Sequence, residues 1–177
     1  RDTSSKQFDC HPSSAGIPGT GYPDFNEIKG QRSVKRAALI AASGFHNLLL
    51  CGPPGSGKSM AAKRIPSILP DLTKEEQLEV SQIYSVAGLL TPERPLITSR
   101  PFRAPHNTLS AQALCGGGRV PAPGEITLAH RGVLFIDELP EMPGRTLDML
   151  RAPMEDRSIL ISRAAGTYRF PSNFLFV

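Results

Sequence analysis

Apolar positions recur at two periods along this chain, and the change of period marks out its elements. Over 31–43, Val34, Ala37, Ala38, Ala41 and Ala42 fall on one side of a 3.6-residue repeat, which predicts an amphipathic helix. The short apolar run 47–51 lies between turn formers and reads as a buried strand. Helix formers over 57–69 are interrupted by Pro66, predicting a helix that bends or stops near Ile65. Thr73-Lys74-Glu75-Glu76 has the form of a capping box, with Leu78, Ile83 and Val86 following at roughly helical spacing. The stretch 89–105, rich in Pro and Arg, reads as irregular, and 106–114 as helical until Gly116-Gly117-Gly118 stops it. A short strand is predicted over 124–129, a second buried strand over 132–136 and a helix over 144–152. Ile159–Ser162 and Tyr168–Phe170 flank Gly166 as a hairpin, and 173–177 forms a third buried strand.

Buried strands alternating with helices predict a mainly parallel sheet covered on both faces, an α/β domain of three layers. That domain spans 23–177. Residues 1–22, rich in Ser, Gly and Pro, read as a linker or disordered tail. There is no internal repeat.

Composition narrows the class without naming an activity. At 177 residues, 40% hydrophobic and 20% charged, the chain has the make-up of one soluble globular domain. No apolar run reaches the ~18–20 residues of a membrane helix, and the opening residues lead into no signal-peptide core. The start without Met and the abrupt apolar end mark the chain as a piece of something longer. Cys10, Cys51 and Cys115 lie too far apart for a disulfide framework or zinc site, so the cytoplasm is the expected compartment; Cys10-His11 reads as a tail pair. A net charge of +4 and a pI near 9.2 permit contact with nucleic acid but do not require it.

The chemistry is carried by two segments. Gly52-Pro53-Pro54-Gly55-Ser56-Gly57-Lys58-Ser59 satisfies G-x-x-x-x-G-K-[ST] between a predicted strand and a predicted helix. Glycines let the backbone wrap phosphates with its N–H groups pointing inward, and a helix N-terminus adds positive potential. Lys58 then reaches the β- and γ-phosphates of ATP, and Ser59 offers a hydroxyl oxygen to Mg²⁺. Val133-Leu134-Phe135-Ile136-Asp137-Glu138 supplies the complementary carboxylates at a strand end. Asp137 is expected to hold Mg²⁺ and Glu138 to act as general base towards water. Taken alone, the acidic pair could instead cap the next helix, the lesser reading, and pairing with the phosphate loop weakens it further.

With both segments placed, the chain resembles the magnesium chelatase-like AAA+ ATPases, in particular their ComM (YifB) type. The resemblance runs from about Tyr22 to Val177. Besides the phosphate loop it rests on Arg100-Pro101-Phe102-Arg103-Ala104-Pro105-His106, Gly116-Gly117-Gly118, Pro123-Gly124-Glu125-Ile126, the run from Leu128 to Glu141, and Ile161-Ser162-Arg163-Ala164. It implies a P-loop AAA+ core whose helix-2 insertion, matching 109–129, projects towards the pore of a hexameric ring, making Arg119 a candidate substrate contact. It further implies that Ile28 and Gly30 line the adenine. The sensor asparagine, arginine finger, helical lid and Lon-like domain of such proteins are not among these residues, so slow hydrolysis and modest nucleotide affinity are expected of this stretch alone. His106-Asn107 stands where relatives often carry two histidines, and His106 reads as a satisfied loop residue. The resemblance implies an ATP-driven ring motor acting on DNA in branch migration. A magnesium chelatase ATPase subunit driving metal into a porphyrin, and an ATP-binding scaffold without turnover, are the alternatives.

Overall fold

A computed structural model of the chain describes residues 21–118, 121–163 and 166–177. The expected tail, Cys10, His11, Arg119 and Ala164 lie outside the described residues, apart from the tail's last two positions.

The helical pattern read over 31–43 becomes α1 (Arg32–Gly44), which buries Ala38, Ala41 and Ala42. After the phosphate loop comes α2 (Lys58–Ala62), which ends shortly before the predicted stop near Ile65, and Pro66 lies inside the 3₁₀ turn Ile65–Ile68 that follows. The capping box at Thr73 forms as read and starts α3 (Lys74–Val86). Its buried face is Val80, Ser81, Ile83 and Tyr84, whereas Leu78 and Val86 point outward. Strand β1 (Phe102–Arg103) follows, then α4 (Ala111–Cys115), a two-strand hairpin of β2 (Gly116–Gly117) and β3 (Ala122–Pro123), and α5 (Glu125–Leu128). Beyond β4 (Val133–Leu134) the chain forms α6 (Gly144–Asp156), the antiparallel β5 (Ser158–Arg163) and β6 (Gly166–Pro171), and finally β7 (Leu175–Phe176).

Strands β1, β4 and β7 form a parallel sheet in that order, with Phe102 opposite Val133 and Val133 opposite Leu175. The two-residue side-chain period of a strand divides their residues between two cores. Phe102, Val133, Phe135, Leu175 and Val177 pack with α1, α2 and the 3₁₀ turn. Leu134, Ile136 and Phe174 face the other way and pack with α4, α5, α6 and the β5–β6 hairpin. The result is the expected sheet between helical layers, with the hairpin insertion present between α4 and α5. Gly132 is required by close approach, because a β-carbon there would collide with the Pro101 backbone that begins β1.

Four local expectations are corrected, the first being that 89–105, read as irregular, contains β1 of the parallel sheet. The run 124–129 is helical, not a strand: Leu128 N donates to Gly124 O and Ala129 N to Glu125 O. Ile126, Thr127 and Leu128 are all buried, and an apolar run covered on every side has no period to separate strand from helix. Residues 47–51 are extended along the edge beside β7 without becoming a strand. Leu48 N donates to Phe176 O (2.8 Å), but the donor of Phe176 goes to the Asn47 side chain, Oδ1 (3.0 Å), in place of a ladder carbonyl. Leu49 is accordingly 73% exposed. The helix read over 106–114 begins only at Ala111, where the Ser110 hydroxyl accepts from Ala113 N and caps it.

Candidate functional site

The segment 47–51 delivers the chain into the phosphate loop at the same end of the sheet where β4 runs out into Asp137. Gly55 and Gly57 take positive φ (+76° and +88°), a region closed to most L-residues, and Gly57 is the N-cap of α2. No side chain caps α2, so its first-turn amides are left to face the loop interior. Lys58 Nζ folds back onto that loop, donating to Gly52 O (2.9 Å) and Pro53 O (3.0 Å). It has no carboxylate partner among the described residues.

Across the cleft, Ser59 Oγ donates to Asp137 Oδ2 at 2.7 Å. Asp137 Oδ1 accepts from Glu138 N (3.0 Å), and Glu138 itself has φ +52°, a strained backbone for a residue with a side chain. That turn lifts the Glu138 carboxylate out of the strand and into the cleft, where Asn107 Nδ2 is 3.5 Å from Oε2. The cleft has a volume of about 1330 Å³. Of the expected residues, Pro54, Gly55, Ser56, Gly57, Lys58, Ser59, Asp137 and Glu138 line it.

Pro53, Ile28 and Gly30 do not line it. Ile28 is 1% exposed and belongs to the core with Ala61, Ala62 and Ile65; Gly30 is exposed, at φ +68°. What ties their segment to the site is Gln31, whose Nε2 donates to Ser56 O (3.4 Å). Sequence reasoning did not pick out Gln31, the cleft-lining Thr108 or the contact of Asn107 with Glu138. Asn107 and Glu138 are distant in sequence, and only the parallel pairing of β1 with β4 sets them side by side.

The residues present fit a magnesium–nucleotide pair. A hydroxyl and a carboxylate converge on one point, which is the oxygen donor set of a Mg²⁺ site that keeps several waters, and an uncompensated ammonium sits within the same loop. Among the described residues no cluster of three or more His, Cys, Asp or Glu offers a different kind of metal site.

Two charged assemblies hold the frame. On β1, Arg103 points away from α1 and makes a bidentate pair with Glu125 of α5, Nε to Oε2 at 2.6 Å and Nη2 to Oε1 at 2.7 Å. Burial works against the Arg103 charge, but the Glu125 bonds outweigh it and hold the guanidinium above its ordinary value. This pair joins two of the sequence blocks on which the resemblance rests. At the opposite end of the sheet, His130 Nδ1 accepts from Asn173 N (3.0 Å), leaving Nε2 to donate to Glu79 (3.3 Å), which also takes Arg131 Nε (2.9 Å). Arg100 and Glu76 extend this network from β1's approach to α3.

Comparison with known proteins agrees with this architecture. Over residues 24–177 the chain matches the family described as magnesium chelatase, subunit ChlI. It is 49% identical over 154 residues to the YifB protein of Escherichia coli K12, covering 87% of this chain and 30% of that one. It is 47% identical over 167 residues to the competence protein ComM of Haemophilus influenzae, covering 93% of this chain and 32% of that one. The chain thus spans about a third of the length of these relatives. In fold it is similar to a structure of the complex between the BchI and BchD subunits of magnesium chelatase, with a TM-score of 0.66 at 24% identity over 86% of this chain and 53% of that one. The phosphate loop, the acidic strand end and the inserted hairpin stand in one AAA+ core, and the chain belongs to the magnesium chelatase family of AAA+ ATPases.

Proposed function

We propose that this domain binds Mg-ATP and hydrolyses it as the motor core of a ComM-type ring, a homo-hexamer acting on DNA in the cytoplasm. The observation that carries the nucleotide chemistry is the 2.7 Å approach of Ser59 to Asp137 beside the uncompensated Lys58. Amides of the loop from Gly55 to Ser59 receive the phosphate oxygens, and Lys58 exchanges its two carbonyl partners for them. Ser59 and Asp137 would hold Mg²⁺, whose chemistry when bound is to neutralise charge on the phosphates. Glu138 accepts the proton of the attacking water, and Asn107 orients its carboxylate. Adenine packing against the segment of Ile28 and Gly30 is part of the same proposal, drawn to the loop by Gln31.

Action on DNA is preferred over metal insertion because identity to the ComM and YifB proteins is 47–49%, against 24% to the chelatase subunit structure. The test is ATP turnover by the full-length protein with and without single-stranded and branched DNA. Stimulation by DNA supports the proposal; turnover indifferent to every DNA form removes the DNA reading and leaves the ATPase. Glu138→Gln should retain nucleotide and lose turnover by roughly 10²–10⁴-fold, the usual contribution of a positioned general base. Persistence of turnover in that variant would move the base elsewhere.

A further inference from the structure

The outward stripe of α1 breaks the charge rule for helices. Arg32, Arg36, Leu39, Ile40 and Ser43 share that side by their three- and four-residue spacing, opposite the buried Ala38, Ala41 and Ala42, with the half-buried Lys35 at its flank. The first turn contains no acidic residue, and the N-cap Gln31 makes no capping bond. Cations at a helix N-terminus meet the positive end of the macrodipole and weaken the helix. Nothing in the described chain relieves this, since none of the three makes an ion pair among the described residues. Directly beyond them Leu39 and Ile40 are 45% and 51% exposed. Adjoining aliphatic side chains of this size mark a surface covered by protein rather than one that follows a phosphate backbone.

The chain carries a stripe of the matching kind. On α3, Glu75, Leu78, Gln82 and Val86 face outward, with Leu78 57% and Val86 65% exposed. Glu75 lies in the first turn, has no ion-pair partner among the described residues, and is held below the ordinary carboxylate range by its own backbone amide and the Thr73 side chain. Both stripes place charge at the N-terminal end and aliphatic residues beyond it, so a parallel alignment matches opposite charges and apolar halves together. The two stripes stand over different cores, α1 over the one that includes Ala61 and Leu175, and α3 over the one that includes Leu72 and Ile97.

We propose that α1 of one copy docks along α3 of a second copy. Two different patches meeting make a heterologous contact, which closes into a ring or runs on as a filament according to its angle. The inference deepens the ring reading above and rests on it. It also joins assembly to nucleotide, because the residue at the start of α1 is Gln31, bonded to Ser56 O of the phosphate loop.

The test uses sedimentation velocity of the full-length protein with a slowly hydrolysed ATP analogue. Arg32→Glu/Arg36→Glu and, separately, Glu75→Lys should each weaken assembly at least about tenfold, in the range seen when charge pairs at an interface are broken. Mixing the two variants should restore assembly, because every contact in the mixture then can pair opposite charges. Assembly unaffected by either change, or not restored on mixing folded variants, overturns the proposal. So does weakened DNA binding with intact assembly, which would assign the α1 stripe to nucleic acid. Binding of a fluorescent ATP analogue is followed in parallel: its absence in the unaltered protein defeats the ATPase reading, while its retention in variants that fail to assemble separates the two.

Discussion

Ser59 Oγ donates to Asp137 Oδ2 over 2.7 Å, joining the first turn of α2 to the chain that leaves β4. A hydroxyl and a carboxylate so close form one oxygen pair with two backbone origins. Asp137→Asn should therefore lower nucleotide affinity on the order of 10- to 100-fold in the presence of Mg²⁺, the scale seen when support for a metal site is removed. Affinity in excess chelator should be unchanged. Equal affinities with and without Mg²⁺ in both proteins would remove Asp137 from the metal site.

Lys58 is satisfied by two carbonyls of its own loop, Gly52 and Pro53. Removing it should cost affinity with or without Mg²⁺, in contrast to Asp137→Asn. For Lys58→Ala the expected loss is roughly ten- to a hundredfold, equivalent to one charge-assisted hydrogen bond. Calorimetric titration with ADP and ATP checks this, and the loss should be larger for ATP.

Arg103 is 4% exposed at its side chain and Glu125 12%. Arg103→Met leaves a buried carboxylate alone and should cost about 3–5 kcal/mol of unfolding free energy. Arg103→Met with Glu125→Leu removes both charges and should recover most of that loss, as seen by urea denaturation. Additive losses in the double variant would mean that the two residues act independently.

Burial holds the His130 imidazole below its ordinary value, while the Glu79 bond pulls the other way and loses. The unfolded chain therefore binds more protons than the fold between the two values. Stability is fully present above about pH 6.5, the ordinary imidazole value, and falls as pH drops from there through the folded value. Glu79, depressed chiefly by its Arg131 bond, gives a separate loss at carboxylate pH. His130→Gln, able to accept from Asn173 N, should flatten the upper step and leave the lower one. Thermal melts across this range distinguish them.

The elements with strong local rules were legible. The capping box fixed the start of α3 because both of its bonds lie within four residues, and Pro66 fixed the end of α2 by removing a donor. The phosphate loop was legible for the same reason, its glycine positions being set by local backbone angles. The short runs 47–51 and 124–129 were not, because a few apolar residues carry no period, and their state was settled by what lay beside them: the Asn47 side chain on Phe176 N, and Arg103 on Glu125.

By itself the sequence determined the phosphate loop, the acidic pair, and sheet and helices in alternation, since each is written in neighbouring residues or in a repeating pattern. Tertiary structure alone decided that Ser59 meets Asp137, that Asn107 reaches Glu138, and that Ile28 lies in the core. Those relations depend on which strands pair and in what order, and residues far apart in the chain become neighbours only when the sheet has formed.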